Sequence, residues 1–209
     1  LLAQQGLQVV LIERGPYPGS KNLSGGVLYT RVLERIFPDY VEEAPLERCI
    51  TNQVISFMTG EATFNLDFKS TAFHQPPYNA FTVLRAKFDR WLAGKAEEAG
   101  AMLVPGIKVE QVLKDAGGQV VGVVAGEEEL RADVVIAADG ATSFLAQQAG
   151  LRGRIDTKHV ATGVKAVVGL PRATLEDRFH LDGNEGTAYT TLGFATHGVA
   201  GGGFLYTNL

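Results

Sequence analysis

Short β-branched runs punctuate this chain, and most of them end on a glycine or an acid. Val9-Val10-Leu11-Ile12 is the first, with Glu13-Arg14-Gly15 directly after it. Ahead of it, residues 1–6 read as the last turns of a helix closed by Gly6. Residues 14–30 are rich in Gly, Pro and Ser and predict a long, ordered loop. Residues 31–37 predict a short helix stopped by Pro38. Apolar or alternating residues at 49–58 and 62–68 flank Thr59-Gly60-Glu61, which is a hairpin signal. After a brief connection at 82–85, Phe88, Trp91, Leu92, Ala96 and Ala99 share one face of a helix over 87–99, closed by Gly100. Residues 101–104 predict a buried strand. A second hairpin is expected from 108–113 and 119–124, around Asp115-Ala116-Gly117-Gly118.

Residues 128–131 lead into Ala132-Asp133-Val134-Val135-Ile136-Ala137-Ala138. That run has the continuous apolar character of a strand buried on both faces, and it ends in Asp139-Gly140. A helix over 142–149, closed by Gly150, follows. Beyond Gly150 the chain is glycine-rich and β-leaning. Strands are expected at 160–170, 178–181, 187–194 and 203–207, with no helix, as an antiparallel sheet of a second domain. The last residues fall within or just after a strand, which suggests truncation there.

Composition removes several classes of function. The 209 residues are 45% hydrophobic and 20% charged, enough for a real core. A net charge of −4 leaves no basic stripe for nucleic acid. No Lys/Arg run suggests an anionic membrane surface, and no apolar stretch approaches the roughly 20 residues of a membrane span. Cys49 is the only cysteine, so this segment alone holds no internal disulfide, iron–sulfur cluster or cysteine-based zinc site. His74, His159, His180 and His197 are scattered, and no metal site is expected from them.

Four places carry candidate chemistry. A helix end, a glycine, a strand and a terminal acid make the second half of a dinucleotide-binding βαβ unit, in which the acid takes the ribose hydroxyls. Glu13 is that acid. The strand and Gly-x-Gly-x-x-Gly turn of the first half are expected upstream of Leu1, so the chain reads as a fragment of a longer protein. The plain alternative for Glu13 is a solvated acid opening a loop. Asp139-Gly140 stand at the carboxyl end of an apolar run, where open α/β sheets bind ligands. Glycine permits close backbone approach there, and the next helix offers free N–H groups to a diphosphate. Asp139 can also cap that helix; the two roles are compatible. Arg85 can fork onto a phosphate or a ring carbonyl, or pair with Asp89 four residues on. In Gly19-Ser20-Lys21-Asn22-Leu23-Ser24-Gly25-Gly26, small residues allow the backbone to approach a planar ring or a diphosphate, with Lys21 adding charge.

Four stretches together resemble a known family. They are Glu13-Arg14-Gly15 with Pro18-Gly19-Ser20-Lys21-Asn22 and Ser24-Gly25-Gly26; Val83-Leu84-Arg85 with Phe88-Asp89 and Trp91-Leu92; Ala137-Ala138-Asp139-Gly140 with Ser143; and a tail of Gly163-Val164-Lys165, Glu176-Asp177-Arg178-Phe179 and Gly201-Gly202-Gly203-Phe204-Leu205-Tyr206-Thr207-Asn208. The chain resembles the aromatic-hydroxylase and geranylgeranyl-reductase branch of the glutathione-reductase class. Within that branch it is most similar to FixC-type flavoproteins, relatives of electron transfer flavoprotein–quinone oxidoreductase.

The resemblance implies an α/β fold, with a glutathione-reductase-type FAD/NAD(P)-binding, Rossmann-like domain and a second, mostly antiparallel β substrate domain. The FAD part would comprise residues 1–48 and 76–150. Residues 49–75 would be a hairpin insertion of the substrate domain, and 151–209 the rest of it. FAD is the implied cofactor. Glu13 would bind its ribose and Arg14 would lie near the adenine. Ser24, Gly25 and Gly26 would line the flavin or the diphosphate, with Arg85 reaching the same region. The backbone of Val109 would meet the adenine. Asp139, with Gly140, would hold the ribityl chain or the diphosphate. No catalytic side chain is assigned.

The implied activity is that of an FAD-dependent oxidoreductase. It would carry electrons from an electron transfer flavoprotein to a quinone or a ferredoxin-like acceptor. A prenyl reductase, a flavin hydroxylase and a cofactor-free fragment are the rival readings. Hydroxylases of the branch usually carry Asp-Gly-x-x-Ser-x-x-Arg, and Ala146 stands where that Arg would be. A cytoplasmic protein is expected, without nucleic acid; a peripheral place at the inner membrane is compatible but not encoded in these residues.

Overall fold

The computed structural model describes every residue except Ser24 and Ala200. In chain order the elements are β1 (Val10–Glu13), β2 (Gly26–Tyr29), α1 (Arg31–Ile36), α2 (Tyr40–Glu43), β3 (Leu46–Met58), β4 (Thr63–Lys69), β5 (Ala80–Val83), α3 (Arg85–Glu98) and β6 (Met102–Pro105). They continue as β7 (Val109–Lys114), β8 (Val120–Ala125), β9 (Glu128–Arg131), α4 (Phe144–Gln148), α5 (Arg172–Phe179), β10 (Glu185–Gly193) and β11 (Gly202–Tyr206). Short 3-10 turns lie at 3–5, 71–74, 157–159 and 194–196. The chain forms two compact units, one of residues 1–21 with 93–163, the other of residues 22–92 with 164–209.

In the first unit β1 pairs in parallel with β6, Glu13 opposite Pro105. Parallel pairing needs a crossover between the strands, and here the chain between them is most of a hundred residues long. β7, β8 and β9 form a separate antiparallel sheet. The amide of Gln148 at the end of α4 acts as a strand would on the free edge of β7. Its Oε1 accepts from Val112 N–H at 2.9 Å and its Nε2 donates to Glu110 O at 3.1 Å.

The second unit is built on β3. β10 runs parallel along one edge of it. On the other edge β5 pairs antiparallel with its first residues and β4 with its last. β2 extends the sheet beyond β5, and β11 beyond β10, both antiparallel. Among the described residues β3–β10 is therefore the one parallel pairing in this sheet, which is mostly antiparallel as expected. A core of Leu33, Tyr40, Ala44, Cys49, Phe81, Val83 and Phe88 packs on one part of it, with Phe37 and Trp91 at its margin.

Both predicted hairpins, the short helix before Pro38 and the long helix closed by Gly100 are present. Several expectations fail. The connection at 82–85 holds the end of β5, a strand buried along its whole length, and the first residue of α3. Leu92 is exposed, so the apolar stripe of α3 is carried by Phe88 and Trp91. The strand at 102–105 is not buried: Met102 faces solvent, because β6 has β1 as its single neighbour among the described residues. The run 132–138 forms no ladder, and Val134 and Ile136 are exposed. Apolar character alone does not make a strand without a partner strand in register. The same holds for 160–170, which is unpaired throughout. Residues 178–181 are not a strand but the end of α5 and its left-handed cap at His180. Residues 1–6 form a single 3-10 turn closed by Gly6 rather than a helix end.

Candidate functional site

The candidate residues divide between the two units. Glu13, Arg14, Val109, Asp139 and Gly140 belong to the first; Gly25, Gly26 and Arg85 belong to the second. Ser24 lies outside the described residues.

Glu13 ends β1 and is half-buried. One carboxylate oxygen accepts the N–H of Gly15, two residues on. Gly15 is glycine for lack of room: a Cβ there would sit 2.1 Å from the Ser20 hydroxyl and 3.1 Å from Glu13 Oε1. The loop thus turns tightly around the carboxylate and fixes its orientation. Its other oxygen has no partner among the described residues, which leaves an acceptor free for a hydroxyl. The end of β1 is tied down from the opposite side as well, since Gly106 N–H donates to Gly15 O at 2.8 Å and Ile107 N–H to Glu13 O at 3.2 Å. Arg14 is exposed and has no partner among the described residues. Val109 opens β7, opposite Ala125.

Asp139 takes the capping role. It accepts the Ser143 hydroxyl and, at 3.2 Å, the Leu145 N–H, while Ser143 Oγ accepts the Ala146 N–H at 3.2 Å. Burial works to raise the Asp139 carboxyl, but these hydrogen bonds together hold it below the ordinary aspartate value. Gly140 adopts a left-handed backbone (φ +84°), and a Cβ there would meet nothing within 4 Å. Sequence reading missed Arg152. Its guanidinium donates to Ala141 O at 2.8 Å, so this loop has an arginine although Ala146 occupies the family's usual position for one. No motif points to residue 152; only the fold brings it there.

In the second unit Arg85 pairs with Asp89, at 2.6 Å from Nε and 2.8 Å from Nη2. Asn22 donates to the same carboxylate. The hydrogen bond to Asp89 raises the Arg85 guanidinium further, so it stays charged. Of the two readings of Arg85, this geometry realises the ion pair, and a ligand would have to share or displace it. Gly25 is required by close approach, since a Cβ would lie 2.4 Å from Val83 O. Gly26 opens β2 with nothing within 4 Å on its Cβ side.

Arg48 went unnoticed in the sequence and is almost wholly buried. It donates to the carbonyls of Asn208 (3.0 Å), Gly183 (3.2 Å) and Glu185 (2.9 Å) and to Glu176 Oε1 (3.1 Å). With every arm engaged it is a structural knot rather than a free binding group. Cys49 is inert: burial pushes its thiol up to about 11, with Glu185 adding to the rise.

Strand register puts three apolar rungs on one face of this sheet. The first holds Phe64, Phe57 and Leu192; the second Leu66, Ile55 and Phe204, with Thr190 between the last two; the third Phe68, Gln53, Ala188 and Tyr206. Seven of these side chains are exposed, Phe204 to 80%. Exposed apolar faces of this extent mark binding surfaces. At the hairpin end, Met58, Gly60, Phe194 and Val199 line a depression of about 550 Å³.

Tested against FAD, the first unit fits. It offers an oriented carboxylate with one free oxygen at a parallel strand end, and open backbone at Gly140. The second offers open backbone at Gly26 and a buried Tyr206 hydroxyl that has no partner.

Comparison with known proteins identifies the family. The family described as "FAD binding domain" matches residues 1–180. Protein FixC of Salmonella typhi is 47% identical over 208 residues, all of this chain and 48% of that protein. "Probable electron transfer flavoprotein-quinone oxidoreductase YdiS" of Escherichia coli K12 is 44% identical over 208 residues, again 48% of its length. Protein FixC of Azorhizobium caulinodans is 40% identical over 209 residues, also 48% of its length. The chain thus spans about half the length of these curated relatives. Among solved structures, a geranylgeranyl bacteriochlorophyll reductase-like protein from Thermoplasma acidophilum shares the fold. It has a TM-score of 0.58 and 22% identity, over 90% of this chain and 45% of that one. The myxobacterial chondrochloren halogenase, an FAD-dependent halogenase, shares it at a TM-score of 0.55 and 23% identity, over 70% of this chain and 35% of that one.

Proposed function

This chain belongs to the FAD binding domain family, and on that premise we propose that it is part of an FAD-dependent oxidoreductase carrying electrons from an electron transfer flavoprotein to a quinone. The bound FAD would supply the redox chemistry by taking up electrons and passing them on; the protein holds it, excludes water and tunes it. Glu13, oriented by Gly15 N–H, takes the ribose hydroxyls, with Arg14 and the Val109 backbone on the adenine side. Asp139 and Gly140 present the capped N-terminus of α4 to the ribityl chain or the diphosphate. Ser24, Gly25 and Gly26 meet the ring end, with Arg85, two residues beyond the Val83 that pairs with Gly26, reaching the same region. No general acid or base is needed. Residues 1–48 and 76–150 serve the cofactor, and 49–75 with 151–209 the acceptor side. The pairing of β3 with β10 supports joining those last two segments, in a sheet that β2 and β5 of the cofactor segments extend.

The observation that carries the choice of acceptor is the apolar sheet face. A quinone is a flat, largely apolar ring with an apolar tail, and its burial against such a face is favourable at roughly 25 cal/mol per Å². A ferredoxin-like protein, the other acceptor considered, would be recognised largely by charge complementarity, which an apolar face does not offer. The names of the relatives, FixC and electron transfer flavoprotein-quinone oxidoreductase, support the donor.

Phe204→Ser in the whole protein tests the acceptor. Steady-state reduction of a water-soluble quinone should show KM raised about tenfold, corresponding to about 1.4 kcal/mol of lost apolar contact, with the rate of flavin reduction by the donor unchanged. Unaltered quinone kinetics would move the acceptor site off this face.

A further inference from the structure

Lys165 stands out in its surroundings. Residues 160–170 form no strand, and Val164, Val167 and Val168 are all strongly exposed. Lys165, beside these valines, turns inward. It is half-buried, its ammonium donates to Gly25 O, and it lies 4.7 Å from the centroid of the Tyr206 ring. A lysine ordinarily keeps its ammonium in water; here the ring face replaces part of that hydration. No carboxylate of the described residues pairs with it.

Tyr206 is the second anomaly. Its hydroxyl is buried with no hydrogen-bond partner, and it lies beside Gly25, where a Cβ would approach it to 3.3 Å. Buried hydroxyls are nearly always satisfied, and one that is not calls for a reason. An ammonium with donors to spare and a phenol without an acceptor therefore converge on one peptide, at the Tyr206 end of the apolar sheet face. Both ask for the same thing, an acceptor atom that carries negative charge.

We propose that Lys165 and Tyr206 are positioning residues for the flavin ring: through the Gly25 peptide they set a positive, hydrogen-bond-donating environment that favours its reduced state. The inference rests on the FAD reading above and extends it to residues with no place in it. The flavin ring is favoured over the diphosphate because no helix begins at Gly25; the chain enters β2 there, so the helix N-terminus that diphosphates use is absent. A flavin ring that takes two electrons from the donor and one proton from water gains one negative charge. A nearby ammonium stabilises that charge, and the reduction potential rises.

The test uses the whole protein, as purified and after removal of FAD. The two-electron potential, the FAD dissociation constant and the melting temperature of the apo form are measured for wild type, Lys165→Met, Lys165→Arg and Tyr206→Phe. Lys165→Met should shift the reduction equilibrium at least tenfold toward the oxidised flavin, a fall of about 30 mV for a two-electron couple. Lys165→Arg should restore most of it. Tyr206→Phe, which keeps the ring, should give a smaller shift in the same direction. FAD affinity should change less than threefold. A potential unchanged in flavin-loaded Lys165→Met and Tyr206→Phe overturns the proposal. So does a tenfold loss of FAD affinity at constant potential, which would place the charge on the diphosphate. Absence of flavin from the wild-type protein would overturn the FAD reading and this inference together, and so differs from a failure confined to the two residues.

Discussion

At the scale of single residues, two acids show how far a side chain's type and place define its role. Glu13 gives one oxygen to the loop that follows and leaves the other without a partner among the described residues, whereas Asp139 commits both to the start of α4. Glu13→Ala should therefore act mainly on the cofactor. In the whole protein it should weaken FAD binding by about ten- to a hundredfold, the loss of one charge-assisted hydrogen bond of about 1.5–3 kcal/mol. The apo melting temperature should move little. Isothermal titration of the apoprotein with FAD, beside a thermal melt, checks both. A large fall in apo stability with unchanged FAD affinity would make Glu13 structural. A β-branched run ending in an acid singled Glu13 out, and the fold places it at the end of β1, half-buried. Arg48 and Lys165 have no such local signal, because each draws its meaning from carbonyls distant in sequence, Asn208 O for Arg48 and Gly25 O for Lys165.

At the scale of elements, local signals succeeded where turns are local. The hairpins β3–β4 and β7–β8 were read from the residues between their strands, and α3 from its stripe and closing glycine. β5 was missed because four residues carry no period; what makes it a strand is pairing with β2 and β3, far away in the chain. α5 was missed although Pro171 precedes it and Arg172 meets Glu176 four residues on, since only Leu175 and Phe179 supply an apolar spacing. The runs at 132–138 and 160–170 err in the other direction, because β-branched composition states a preference and not a partner. The helix α4 offers a pH test. Asp139 titrates below its unfolded value of about 3.9. Its support of α4 is thus complete above that value and is lost as pH falls through the lowered one. The Leu145 amide resonance should follow that titration, with a midpoint below 3.9. A midpoint at or above 3.9 would detach the carboxylate from the helix.

At the scale of the molecule, the α/β class and the mostly antiparallel sheet were legible, as was the FAD binding domain family, since motif spacing survives where element boundaries do not. The compact units were less so. Their borders at 21/22, 92/93 and 163/164 follow contacts formed between distant segments, and the middle one falls inside α3, where no change of composition marks it. Among the described residues no helix is long and apolar enough to cross a membrane. The apolar face belongs to a sheet, its residues spread over short strands such as β4, where they alternate with polar ones, and so invisible to a search for long apolar runs.

The central claim is that this chain serves an FAD that takes electrons from an electron transfer flavoprotein. The most direct test is the absorbance spectrum of the whole protein as purified, followed by anaerobic mixing with a reduced electron transfer flavoprotein. Flavin bands that bleach on mixing, faster than turnover, are the expected result. Bands that bleach only with a reduced nicotinamide, or a protein that purifies and reconstitutes without flavin, would contradict it.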